Sequence, residues 1–395
     1  MIEGQVHPSF WPVAKALEQQ LKRAPTAGGA AVAVYHRGKR VVDIRGGHAD
    51  ETGKPWTSRT LSVSFSTTKG VISTLLHRLV DRGLLDYDDR VARFWPEFAQ
   101  NGKGTITVRQ LLCHQAGLYH IRQMIDSAER MRDWEYMTDR LAEATPQHRP
   151  GAMSAYHGLT YGWLVGEVIR RVTNRDVPEL VQSEIAEPLG LDGLFIGAPD
   201  KELRRVAKLV LPPERLARLQ RMRGPIKQLQ KAITFARIPV DARRMAAALM
   251  PPGIESFDWS APETVQACIP AANGSFSARS LAKMYATLAA GGELDGKKLL
   301  SEKTLQRATE IQTRKIDGVV PFPMHWRLGY HRAATTRGTP PRAFGHYGFG
   351  GSGAWADPDH ELSVALVLNS GVGTPFGDIR TAQIGGAALQ CARRR

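Results

Sequence analysis

Hydrophobic and polar positions follow two different periods along this chain. Residues 30–44, AAVAVYHRGKRVVDI, form two β-branched runs around Arg37-Gly38-Lys39, which predicts an antiparallel hairpin closed by a glycine turn. Near the other end, Gly353–Asp357 and Leu362–Leu368 are apolar runs separated by Pro358-Asp359-His360, a second hairpin pattern. Between these regions the period is helical: Val71, Ile72, Leu75, Leu76 and Leu79 recur at three- and four-residue steps, as do Leu159, Leu164, Val165 and Val168. Thr107, ahead of Val-Arg-Gln-Leu-Leu, has the placement of an N-cap, and residues 9–23 read as an amphipathic helix. The pattern predicts an α+β fold, with an antiparallel sheet built from N- and C-terminal strands, flanked by helices, and a mostly helical region inserted between them. The expected division places the sheet in an α/β domain of residues 1–90 and 270–395. A mostly helical domain would span 91–269, including a basic insertion at about 201–252.

The mixture of 42% hydrophobic and 23% charged residues fits a globular chain and gives no reason to expect disorder. Apolar runs such as Leu362–Leu368 fall far short of the about 20 residues a membrane span needs, so no transmembrane helix is expected. The first residues lack the basic start and continuous apolar core of a secretory signal, which leads to the expectation of a cytoplasmic protein. Cys113, Cys268 and Cys391 are widely spaced with no C-x-x-C pair, arguing against both a disulfide framework and a zinc site.

Charge changes the picture in one place. The formal net charge is +15, and residues 201–245 hold 13 Lys or Arg against Glu202, Glu214 and Asp241, which is +10 of the +15. Within this segment Val206, Leu209, Val210, Leu216, Leu219, Met222, Ile226, Leu229 and Ile233 recur at roughly helical spacing, broken by Pro212-Pro213 and Gly224-Pro225. Short amphipathic helices are expected. They could form a solvated flap on the core, or a wall of the acyl or alcohol pocket with Met222 and Phe235 among its contacts. A weak attraction of 201–245 to an anionic membrane surface is the third reading. A nucleic-acid partner is not expected, because neither a recognised binding motif nor interleaved aromatics accompany the charge. Nothing in the sequence sets the oligomeric state.

Candidate chemistry begins at Ser66-Thr67-Thr68-Lys69, where an extended run gives way to a helix. Three residues apart on one helical face, an amine can reach a hydroxyl, and a desolvated lysine can act as the base a serine nucleophile needs. The first amides of the helix would favour developing oxyanion charge. Taken alone, the same spacing also fits Ser66 as a helix cap and Lys69 as a solvated residue. A second cluster, Pro150-Gly151-Ala152-Met153-Ser154-Ala155-Tyr156-His157-Gly158, puts a tyrosine on a loop before a helix. A third, Gly345-His346-Tyr347-Gly348-Phe349-Gly350-Gly351-Ser352-Gly353, precedes the last strands, where its glycines would let a substrate lie against the backbone.

In this order, the three clusters make the chain resemble the serine hydrolases of the class C β-lactamase, penicillin-binding-protein and family VIII carboxylesterase group. The likeness runs over nearly the whole chain, through Leu84-Leu85-Asp86-Tyr87-Asp88-Asp89, Leu111-Leu112-Cys113-His114-Gln115-Ala116-Gly117-Leu118, Pro150-Gly151, Tyr161-Gly162, Gly351-Ser352 and Asp357-Pro358. It implies a β-lactamase/transpeptidase-like fold, with Ser66 as nucleophile and Lys69 and Tyr156 as base and proton shuttle. It also implies an oxyanion hole from the amides of Ser66 and Phe349, with His346, Gly348, His157 and His114 binding substrate or supporting the site.

Two departures narrow the expected substrate. Tyr156-His157-Gly158 ends without the asparagine usual in the β-lactamases, and the third motif begins with His346 where they carry lysine. A histidine with a pKa near about 6.5 is mostly neutral at neutral pH, so a permanent positive partner for an antibiotic's carboxylate is missing. A carboxylesterase acting on small esters through an acyl-enzyme is therefore expected. An acyltransferase or transesterase, a weak β-lactamase, and a catalytically silent binding or membrane-peripheral protein are the alternatives. Gly348-x-Gly350-x-x-Gly353 is not followed by a helix and so does not read as a dinucleotide site; no G-x-S-x-G elbow or H-E-x-x-H occurs, and neither cofactor nor metal is expected. His114 and His120 read as structural or cleft-lining, and Asp86, Asp88 and Asp89 as capping a turn.

Overall fold

The computed structural model describes residues 2–23, 28–210, 241–371 and 378–394. Its largest element is a seven-stranded antiparallel sheet made of β1 (Ile2–Val6), β2 (Gly29–His36), β3 (Lys39–Gly47), β4 (His331–Arg332), β5 (Phe344–Tyr347), β6 (Gly353–Asp357) and β7 (Leu362–Leu368), in the order β1-β3-β2-β7-β6-β5-β4. The two termini meet at its centre, where β7 pairs with β2 from Leu362 opposite His36 to Leu368 opposite Ala30. The predicted hairpins are β2–β3 and β6–β7. Arg37 and Gly38, the two loop residues of the first, both have positive φ (51° and 71°), the backbone that matches a two-residue turn to the twist of its strands.

Both faces of the sheet are covered, and alternation decides what meets each cover. Val32, Val34, Leu362, Val364 and Leu366 turn toward helices α1 (Trp11–Arg23) and α6 (Ile379–Ala392), whose Val13, Leu17, Ile384 and Leu389 complete that layer. On the opposite face Ala33, Ala354, Ala356 and Ala365 belong to the main core together with α5 (Ala278–Ala289). Small side chains there let the helix lie close to the sheet. Beyond α5 the core continues into α2 (Thr67–Asp81) and α3 (Thr160–Thr173), which pack on each other. Thr107 caps the next short helix with a reciprocal capping box through Gln110.

Three details differ from expectation. The edge strand β1 is not signalled by its sequence, because Glu3, Gly4 and Gln5 stay exposed and only pairing with β3 makes it a strand. At the start of the basic insertion, Val206–Ala207 is a strand pairing in parallel with Leu61 and Ser62, and not the beginning of a helix. Backbone pairing beside the nucleophile segment overrides the apolar spacing there. The rest of the helical pattern, from Leu216 to Ile233, lies with Met222 and Phe235 outside the described residues, and α4 (Ala242–Leu249) follows beyond its last position. The Asp86 and Asp89 carboxylates cap the turn as expected and pair with Arg307 and Arg93, whereas the Asp88 carboxylate makes no cap and is held by Arg109.

Among the described residues no helix is long and apolar enough to cross a membrane, and no His, Cys, Asp and Glu side chains gather as a metal site.

Candidate active site

The strand Leu61–Val63 delivers Ser66 to the start of α2 through a strained step. Phe65 has φ 44°, a left-handed backbone that a bulky side chain rarely adopts. Its ring is held edge-on by Trp259 and Phe349, with centroids 5.3 and 5.4 Å away, and its carbonyl accepts from the Thr68 amide at 2.9 Å. Ser66 occupies the N-cap position but makes no side-chain capping bond, which leaves Oγ free. One helical turn later Lys69 is fully buried, not solvated.

Lys69 Nζ has three oxygen partners: Ser66 Oγ at 2.9 Å, the Gly158 carbonyl at 2.6 Å and the Ala271 carbonyl at 3.0 Å. Carbonyls only accept, so two N–H bonds of the amine are committed to them. Burial drives the Lys69 pKa well below its ordinary value, favouring the neutral amine. With two hydrogens so placed, the lone pair of a neutral amine faces the Ser66 hydroxyl. On the other side Tyr156 donates its phenol O–H to Ser66 Oγ at 2.8 Å. Burial raises the Tyr156 pKa, so this phenol is protonated at neutral pH.

Gly158 is the position where the sequence lacks an asparagine. Its main-chain carbonyl accepts from Lys69 Nζ. No side chain fits there: a Cβ on Gly158 would lie 2.3 Å from Leu249 Cδ2 and 2.8 Å from the Ala248 carbonyl of α4.

The third cluster borders the serine through β5. Gly348 sits so tightly on the nucleophile segment that a Cβ would come within 2.2 Å of the Ser64 carbonyl oxygen. Phe349 follows, with its ring against Phe65, and neither its amide nor that of Ser66 has an acceptor among the described residues. His346 is buried, with its ring 6.3 Å from Tyr156 and 4.7 Å from His331. Its Nδ1 faces the Tyr347 carbonyl at 3.0 Å, which places the proton there, while Nε2 has no partner. Burial first, then His331 and Lys69, hold its pKa well below the ordinary histidine value, so it stays neutral over a wider range than the sequence implies. No hydrogen bond joins His346 to Tyr156 among the described residues.

His157 and His114 form the support behind Tyr156. His157 Nε2 accepts from the Leu118 amide at 3.0 Å, and His114 Nδ1 accepts from the His157 amide at 3.1 Å. Both are buried and depressed in pKa, His157 to about 3, chiefly by desolvation. His120 is also buried, at the start of a separate short helix.

The sequence reading missed Asp317 and Trp326, which flank Tyr156, and the Ala271 carbonyl on Lys69. Only the lone acid in the apolar run Ile316-Asp317-Gly318-Val319-Val320 carries a sequence signal. A carbonyl partner carries none.

Comparison with known proteins fits this geometry. The Beta-lactamase family model matches residues 14–389. The chain is 38% identical over 373 residues to a protein named esterase/beta-lactamase LipL from Mycobacterium tuberculosis, covering 93% of this chain and 82% of that one. A penicillin-binding protein homologue from Caulobacter crescentus superposes with a TM-score of 0.87 at 37% identity, covering 99% of this chain and all of that one. A structure described as a family VIII carboxylesterase gives 0.86 at 33% identity, with the same coverage.

Proposed function

This chain belongs to the Beta-lactamase family, and from that premise we propose that it is a serine carboxylesterase that hydrolyses small carboxylic esters through an acyl-enzyme on Ser66. At the coarser level it is a serine hydrolase of the β-lactamase fold. One observation carries the acyl-enzyme reading: Ser66 Oγ lies between Lys69 Nζ and Tyr156 OH, at 2.9 and 2.8 Å.

In acylation the Ser66 proton moves to the Lys69 lone pair as Oγ bonds to the ester carbonyl carbon. The carbonyl oxygen, now negative, is held by the Ser66 and Phe349 amides. Collapse breaks the bond to the leaving alkoxide, which takes the Tyr156 proton, and Lys69 restores that proton to the phenol. Water then repeats the sequence on the acyl-enzyme, releasing the acid.

Ester preference over β-lactam is supported by the absence of a positive group at His346, which is neutral, and of a side-chain amide at Gly158. It also agrees with the naming of one relative as an esterase/beta-lactamase and of one structural neighbour as a carboxylesterase. Mass spectrometry after a fluorophosphonate is expected to find one adduct, on Ser66. Turnover of p-nitrophenyl acetate should exceed that of nitrocefin by about 100-fold or more, on the scale of one lost charged partner. Folded protein without a Ser66 adduct overturns the enzyme reading, and comparable nitrocefin turnover overturns the ester preference.

A further inference from the structure

We propose that Asp317 is the positioning residue of the proton relay, a single buried carboxylate that fixes Tyr156 both through its backbone and through the face of its ring. The proposal rests on the assignment of Tyr156 as the proton shuttle. Asp317 Oδ1 accepts from the amides of Tyr156 at 3.0 Å, Val319 at 2.8 Å and Val320 at 2.9 Å, and Oδ2 accepts from the Trp326 indole N–H at 2.9 Å. The Trp326 ring in turn stacks on the Tyr156 ring, with centroids 5.7 Å apart and planes 10° from parallel. Gly318 donates to the Ser154 carbonyl at 2.8 Å, fastening the same loop two residues before the tyrosine. Every polar neighbour of the carboxylate is a donor, and these four bonds favour its ionised form against the burial that raises its pKa.

This arrangement does more than close a loop. The Tyr156 hydroxyl must meet Ser66 Oγ and then the leaving oxygen, and displacing such a group by about 1 Å can cost about 100-fold in rate. The remaining groups around Tyr156 leave its tilt to be set by others. Lys69 lies 5.0 Å from the ring centroid, and His114 and His346 contact the ring without a hydrogen bond to it. Burial first, and then the charge of Asp317, raise the phenol's pKa. Asp317 therefore helps keep the proton on the shuttle as well as keeping the shuttle in place.

Asp317→Asn tests this. The amide oxygen can keep the three backbone donors, but the amide nitrogen then faces the Trp326 N–H, donor against donor. With p-nitrophenyl acetate between pH 7 and 10, kcat is expected to fall about 10-fold with KM within about 2-fold, a loss between a bond kept and a group misplaced. A folded variant with parental kcat, or one whose loss appears in KM and not in kcat, overturns the proposal. If Asp317→Asn does not fold, Trp326→Phe carries the test by keeping the stack and losing the tether. A fall in kcat of about 3-fold at constant KM supports the proposal and an unchanged kcat overturns it. Parental activity in Tyr156→Phe would instead remove the shuttle assignment itself, an outcome distinct from failure of the Asp317 anchor.

Discussion

Lys69 and Arg327 are both buried basic side chains held by main-chain carbonyls, in pockets that differ in one partner. Arg327 donates to the carbonyls of Thr309 at 2.9 Å, His325 at 3.3 Å and Pro341 at 3.0 Å, and its own amide donates to Tyr330 at 2.9 Å. Burial and Arg314 push its pKa down to about 10, still charged at neutral pH. Lys69 has two carbonyls and, in the third direction, the hydroxyl of Ser66. A guanidinium filled with carbonyls has no lone pair to offer and acts as a brace for its loop. An amine can shed its proton when desolvated, and its one partner that is not a carbonyl is the group it can deprotonate. Residue type and the identity of a single acceptor thus separate a bracing side chain from the one proposed as the base.

The largest effect should come from converting the reactive pocket into an inert one. Lys69→Met is expected to lower kcat for p-nitrophenyl acetate by about 1,000-fold or more, the upper range for a lost general base, and to lower the urea-unfolding free energy by about 1 kcal/mol as the Gly158 and Ala271 carbonyls lose their donor. A mild loss would place Lys69 with Arg327 as a brace. Tyr156→Phe should follow, with a loss of about 100-fold and an unaltered fold by circular dichroism.

Arg327→Met sharpens the contrast from the other side. Removing the charged donor from three carbonyls should lower the urea-unfolding free energy by about 2 kcal/mol, while kcat per folded molecule stays within about 2-fold. A catalytic loss without destabilisation would erase the distinction between the two pockets.

The pH dependence of stability concerns the buried neutral histidines. His157 and His77 are depressed by burial to about 3 and His331 to about 4. Folded-state pKa values below the ordinary 6.5 mean that their contribution is present above about pH 6.5. It is lost as pH falls from there toward 4, where the unfolded chain takes protons that the fold refuses. Each fully depressed histidine removes at most about 1.4 kcal/mol per pH unit in that window. Urea midpoints should therefore drop from pH 7 to pH 5, and flat midpoints would show that these imidazoles are not held neutral.

Much of this protein was determined locally. The Arg37-Gly38 turn, the Thr107 capping box and the helix after Ser66 each depend on residues within a few positions of one another, so they are readable along the chain. The order of Ser66, Lys69, Tyr156 and His346 likewise carried the family resemblance without a structure. Other decisions belonged to tertiary structure. Strand β1 exists because β3 pairs with it, and Val206–Ala207 is extended because Leu61 and Ser62 are its neighbours. The Lys69 amine is turned by a carbonyl 202 residues away, and the Tyr156 amide is held by a carboxylate 161 residues away. Gly158 reads in the sequence as a lost amide, and only the fold shows that α4 leaves no space for a side chain there and that the Gly158 carbonyl accepts from Lys69. Desolvation and hydrogen-bond saturation are summed over every neighbour in space, whereas periodicity and motif spacing record only neighbours along the chain, so which residues could react was legible early and their protonation and aim were set by the fold.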